Sequence, residues 1–199
     1  MNLANLIENI QKQPREVGGF FEMNSKGKFT FFKTAAPKIN TSVRREYVDL
    51  PTGSHPLIWH YHPMKVGIWP SFEDLQLGYP TKNKPFPCYV NLILTIYGTW
   101  VFDGLCKHNK KQSLYDVENN MYEAWKKFND FMMIETQKKG WDLMSIKNAI
   151  EQFRYELFIH FGYRITFIDN GMFRPEMKNK RKYTKDIKDY ILYLIKDTN

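Results

Sequence analysis

Cysteine is scarce in this chain: Cys88 and Cys106 are the only two, and neither belongs to a C-x-x-C pair. A disulfide framework and a thiolate-held zinc are therefore not indicated, and any metal must be bound through nitrogen and oxygen. Long apolar runs are missing too. No window reaches the roughly 18 uninterrupted apolar residues of a membrane span, and the opening MNLANLIENIQKQPRE lacks the basic start and apolar run of a signal peptide. A soluble, cytoplasmic protein with no membrane partner is the expectation. Internal repeats and low-complexity segments are absent. Aromatic and basic residues do not alternate in an RNA- or DNA-binding pattern, so no nucleic-acid partner is expected.

What is present fits one domain. The chain has 199 residues, 43% hydrophobic and 16% aromatic, enough for one packed core with a second layer of helices. The formal net charge is +8, and residues 174–199 hold eight Lys or Arg against four Asp or Glu, so half of the excess lies in this tail. A solvated face accounts for that tail, and an acidic partner is the alternative.

Leu3, Leu6, Ile7 and Ile10 recur at helical spacing, and Pro14 ends the run. Strand-like VGGFFEM and KFTFFKT follow, joined by a turn over Asn24 to Lys28. Residues 35–54 read as loop with a short strand near Tyr47 to Leu50. HPLIWHYHP fits a buried strand emerging at a sheet edge, and SFEDLQLG opens like a helix capped by Ser71. Strands at Cys88 to Tyr97 and Thr99 to Phe102 would be joined by a tight turn at Gly98. Beyond residue 110 the pattern is helical. Leu114, Val117, Met121, Trp125, Phe128 and Met132 mark one apolar stripe, and Ile146, Ile150, Phe153, Leu157 and Phe161 mark a second, both read as core. A last helix is expected from Thr184 to Ile195. Residues 1–110 thus form a core, and 111–199 a helical extension that packs on it or forms a dimer surface.

The chemistry concentrates in WHYHPMKVGIWPSFEDL. On a strand, side chains at i and i+2 share a face, so His60 and His62 can approach one metal ion from the same side. Asp74, in the first turn of the next helix, can close the triangle. Two histidines and one carboxylate with an open fourth position make the ligand set of a catalytic zinc rather than a structural one. Taken alone, S-x-x-D is usually a helix start, with the hydroxyl as cap and the acid suiting the dipole. An H-x-H pair alone would arise by chance about once in eight such sequences, but with Pro63 and S-x-x-D added coincidence falls below about one in ten thousand. His55 is expected to face away from this site, Tyr61 to be packing, and His160 to be a buried or half-buried helix residue.

These residues resemble the JAMM (MPN-plus, JAB-type) metallopeptidases, whose pattern is H-x-H-P, a short loop, then S-x-x-D. That family places a glutamate general base at the start of an early strand, after a short helix. PREVGGFF supplies Glu16 in that position, 44 residues before His60. EVGGFF and WHYHP look most like the prokaryotic JAB branch associated with ubiquitin-like conjugation. The likeness covers residues 1 to about 105. One departure concerns spacing: eight residues separate His62 from Ser71 where seven is commoner, which sets Glu73 at the usual distance. Asp74 keeps the S-x-x-D relation and is the expected ligand.

The resemblance implies an α/β fold, a curved mixed sheet flanked by helices in the JAB/MPN and cytidine-deaminase manner, with the site at a sheet edge. It implies Zn2+ on His60, His62 and Asp74, with Glu16 and Ser71 catalytic: Glu16 moves protons and Ser71 hydrogen-bonds the oxyanion. The expected substrate is a ubiquitin-like protein or conjugate with a Gly-Gly tail, lying beside the strand before the metal loop or beside Pro85 to Asn91. Conjugation enzymes of the same system are expected partners. The rivals are a catalytically silent scaffold of the same fold and a peptidase for sulfur-carrier or phage-tail proteins. Zinc deamination of a nucleobase needs H-x-E and P-C-x-x-C, which this sequence lacks.

Overall fold

Leu3, Leu6, Ile7 and Ile10 line the buried side of helix α1 (Leu3–Ile10), as their spacing requires. The computed structural model describes residues 1–10, 13–14, 16–33, 57–63, 68–76, 90–103, 113–138, 140–171 and 179–196. After α1 the described elements are β1 (Val17–Met23), β2 (Phe29–Lys33), β3 (Leu57–Tyr61), α2 (Phe72–Gln76), β4 (Val90–Leu94), β5 (Gly98–Asp103), α3 (Leu114–Gln137), α4 (Leu143–Phe161), β6 (Ile165–Asp169) and α5 (Lys180–Lys196). The strands form one mixed sheet in the order β2-β1-β3-β4-β5-β6, antiparallel except for the parallel pair β3–β4. Among the described residues no helix is long and apolar enough to cross a membrane.

Every residue of β3, β4 and β5 is buried, which explains why these stretches read as near-continuous apolar runs instead of alternating ones. The pleat divides them between two cores. Leu57, Trp59 and Tyr61 join α1 and α5 on one face, while Ile93, Trp100 and Phe102 join α2, α3 and α4 on the other. From Val117 onward the first helical stripe is core, as is the whole of the second, and they lock together where Phe128 stacks on Phe153 with ring centroids 4.2 Å apart and planes 6° from parallel. Gly162 ends α4 in the left-handed conformation at φ 70°, its N–H returning to the carbonyl of Phe158 at 2.9 Å.

Several expectations are corrected. The region after residue 110 is not wholly helical: β6 follows Gly162 and pairs with β5 from Phe102↔Ile165 to Gly98↔Asp169. Its five residues follow the α4 stripe so closely that the apolar run hides the change of period. The strand bearing the histidines is central, flanked by β1 and β4, so the site lies at the end of an inner strand and not at a sheet edge. For the same reason neither β3 nor Val90 and Asn91 of β4 offers an open edge to an extended substrate; the outer strands are β2 and β6. The turn between β4 and β5 spans 95–97, with Thr95 Oγ1 accepting from the N–H groups of Tyr97 and Gly98 at 3.1 Å, and Gly98 itself opens β5. The last helix begins at Lys180 and not at Thr184, taking in the basic residues before it. His160 is exposed, because it lies off the Phe153–Leu157–Phe161 stripe. The strand expected near Tyr47 to Leu50, His55, Cys88, Cys106 and residues 85–89 lie outside the described residues.

Gly19 anchors β3 to the β1–β2 hairpin. Trp59 Nε1 donates to the carbonyl of Phe32 at 3.0 Å, reaching across the intervening strand β1 at this glycine. A Cβ on Gly19 would stand 1.8 Å from the Phe32 carbonyl oxygen and 2.7 Å from the indole nitrogen. Gly19→Ala is therefore expected to displace a wholly buried tryptophan and leave its N–H without an acceptor, costing about 2–4 kcal/mol. Urea unfolding checks this, and an unchanged midpoint would contradict it.

Candidate metal centre

Strand register brings Glu16 to the histidines. Val17 pairs with Tyr61 and Gly18 with His60, so one step further along the antiparallel ladder Glu16 comes opposite His62. His62 lies just past β3, where its N–H continues the pairing to the carbonyl of Leu94 at 2.9 Å and keeps its side chain on the face of His60. Tyr61, between them, packs into the opposite core at 2% exposure, as its position on the pleat predicts.

The third contributor arrives on α2. Ser71 Oγ accepts from the Asp74 N–H at 3.2 Å, while the Asp74 carboxylate accepts from the Ser71 N–H at 2.7 Å and from its hydroxyl at 2.8 Å. This reciprocal pair is a capping box, and it also aims the Asp74 carboxylate at the imidazoles. One geometry serves both the helix start and the approach of Asp74 to the imidazoles. Asp74 is completely buried whereas Glu73 is exposed, so Asp74 is the acid that meets the histidines.

The distances describe a compact donor cluster. His60 Nε2 and His62 Nε2 are 3.0 Å apart; Asp74 places Oδ1 3.2 Å from the first and Oδ2 3.4 Å from the second; Glu16 Oε1 lies 3.6 Å from His62 Nε2. A tetrahedral ion with ligand bonds of about 2.0–2.1 Å has ligand–ligand edges of about 3.3 Å, so the imidazole and Asp74 spacings suit one small cation. Glu16, His60 and His62 by themselves form a group able to hold a metal ion, their ligand atoms lying within 4.8 Å of one another. Two carboxylates thus flank the imidazole pair. Asp74 is sealed in the interior, and the Glu16 side chain keeps 17% of its surface open to solvent. A buried carboxylate between two imidazoles needs a compensating positive charge, which a cation or a protonated ring supplies.

His62 is also oriented from behind. Its Nδ1 lies 3.1 Å from the main-chain oxygen of Trp69. A carbonyl only accepts, so Nδ1 carries the hydrogen and the lone pair of the neutral ring sits on Nε2, facing His60 and Asp74. Nothing in the sequence points to Trp69 for this role. Its main-chain role leaves no residue-type signal, although an unaccounted tryptophan near two histidines marks an N–H that must find an acceptor. The Ser71 hydroxyl, expected on an oxyanion, is directed at Asp74 in this arrangement.

Replacing Asp74 by Ala should lower metal retention by at least tenfold if the ion sits among these donors, since it removes the buried carboxylate that meets both imidazoles, whereas Glu73→Ala should leave it unchanged. Metal content after dialysis of the two variants checks the assignment, and the opposite ranking would transfer the ligand role to Glu73. Comparison of the chain with known protein families, with curated proteins and with solved structures gives no match.

Proposed function

We propose that this protein is a zinc-dependent peptidase of the JAMM type that cleaves peptide or isopeptide bonds after the Gly-Gly tail of a ubiquitin-like modifier. The observation that carries the proposal is the meeting of Glu16, His60, His62 and Asp74, drawn from three separate segments, at one buried point. Those are the residues that the H-x-H-P, S-x-x-D and early-glutamate pattern marks. His60, His62 and Asp74 would hold the ion, leaving a position for water, as in zinc sites that catalyse rather than brace.

Zinc held there would supply Lewis acidity, making water easier to deprotonate and a carbonyl easier to attack. The protein's own groups do the rest. Glu16, beside His62 and partly open to solvent, takes a proton from the attacking water and returns it to the leaving amine. Oxygen from water bonds to the carbonyl carbon, the C–N bond breaks, and the acid and amine leave without a covalent link to the enzyme. For Ser71 to stabilise the oxyanion, its hydroxyl must turn from Asp74 toward the substrate; otherwise it serves to aim Asp74. A tail of glycines suits a centre this deeply set, because only glycine lets the main chain pass closely between walls.

Glu16→Gln separates binding from turnover. The variant should keep about one zinc per chain and lose roughly 10²–10⁴-fold in the rate of cleaving ubiquitin-like fusions that extend past Gly-Gly. A fully active Glu16→Gln would remove Glu16 from the mechanism. Wild type that holds no metal would favour a scaffold role instead.

A further inference from the structure

The segment that orients His62 is held from later in the chain, by β5 and helix α3. Three consecutive main-chain carbonyls, those of Ile68, Trp69 and Pro70, each meet a ring nitrogen. Trp100 Nε1 on β5 donates to Ile68 at 3.0 Å, His62 Nδ1 to Trp69 at 3.1 Å, and Trp125 Nε1 on α3 to Pro70 at 2.9 Å. The indole of Trp69 is tied down in turn, its Nε1 donating to Asn129 Oδ1 on α3 at 2.9 Å. Phe72, at the start of α2, packs against Tyr122 and Trp125 with centroids 5.2 and 6.0 Å away.

We infer that Trp125 and Asn129 are positioning residues of the metal centre, selecting through Trp69 the tautomer of His62 that can bind an ion. The inference rests on the metal-site reading above. A peptide carbonyl in a loop is free to swing unless its neighbours are fixed. Here the peptide groups on both sides of Trp69 are fixed by indoles, and its side chain is fixed by an amide. The Trp69 oxygen therefore stays in line with His62 Nδ1, and the hydrogen stays on that nitrogen. A swung carbonyl would release it. The hydrogen could then move to Nε2, which would no longer offer a lone pair to an ion. Neither residue touches His62: Trp125 acts through the Pro70 carbonyl and Asn129 through the Trp69 indole.

The test uses the full-length chain. Trp125→Phe keeps an aromatic ring but removes the N–H, and Asn129→Leu removes the acceptor at a part-exposed position, so a folding failure of the first leaves the second. Zinc affinity, measured with zinc alone by competition against a chelator, should weaken about tenfold in either folded variant. In the metal-free protein, at a pH where the His62 ring is neutral, its side-chain ¹⁵N shifts should report one tautomer in wild type and a mixture in the variants. A general loosening of packing would lower the unfolding temperature without producing that mixture. Asn129→Asp, which retains an acceptor oxygen, should restore the single tautomer. Folded variants with wild-type affinity and a single tautomer would overturn the inference. If wild-type protein binds no zinc, the metal reading falls, and the tautomer measurement still decides whether α3 orients His62.

Discussion

Two imidazole nitrogens face each other across 3.0 Å because His60 and His62 sit two residues apart at the end of a strand whose edges are both occupied. With β1 on one side and β4 on the other, the end of β3 has no freedom to twist or slip, and a slip of one residue would send both rings into the opposite core. Everything else at the centre is arranged around that fixed pair. Glu16 is delivered by the same ladder that secures β3, and Asp74 by the connection that a parallel β3–β4 pair requires.

The metal-ligand candidates were legible because their spacing is local: i and i+2 on a strand, and i and i+3 on a helix start, set directions before any tertiary contact forms. Tyr61 was legible as packing for the same reason. β6 was not, since Ile165 to Asp169 follow an apolar helix stripe and a strand of five residues has no period long enough to stand out beside it. The central place of β3 was hidden too. An apolar run records burial on both faces but not which strands cover its edges, and that depends on pairing between segments distant in the chain. The exposure of His160 was not legible, because apolar neighbours in sequence are not neighbours in space on a helix: Phe158 and Ile159 point outward with it.

The C-terminal half belongs to the site as much as to the core. Tyr163, just after α4, donates its hydroxyl hydrogen to the carbonyl of Leu75, beside Asp74. Trp125 and Asn129 hold the stretch before Ser71. A division at residue 110 would part the candidate ligands from the groups that hold them still. Tryptophan suits this task, since it fills apolar space with its rings while its single N–H must be given to one acceptor.

The parallel pairing of β3 with β4 also bears on how the chain reaches its native state. Hairpins such as β1–β2 and β4–β5 close over short loops, but β1–β3 and β3–β4 join segments about 30 to 40 residues apart, and such pairings form late because loop closure precedes the contacts that reward it. Glu16, the two histidines and Asp74 are divided across these slow junctions. The donor cluster is consequently a property of the finished sheet alone, so an ion that binds it would favour the completed fold over partly folded forms by mass action.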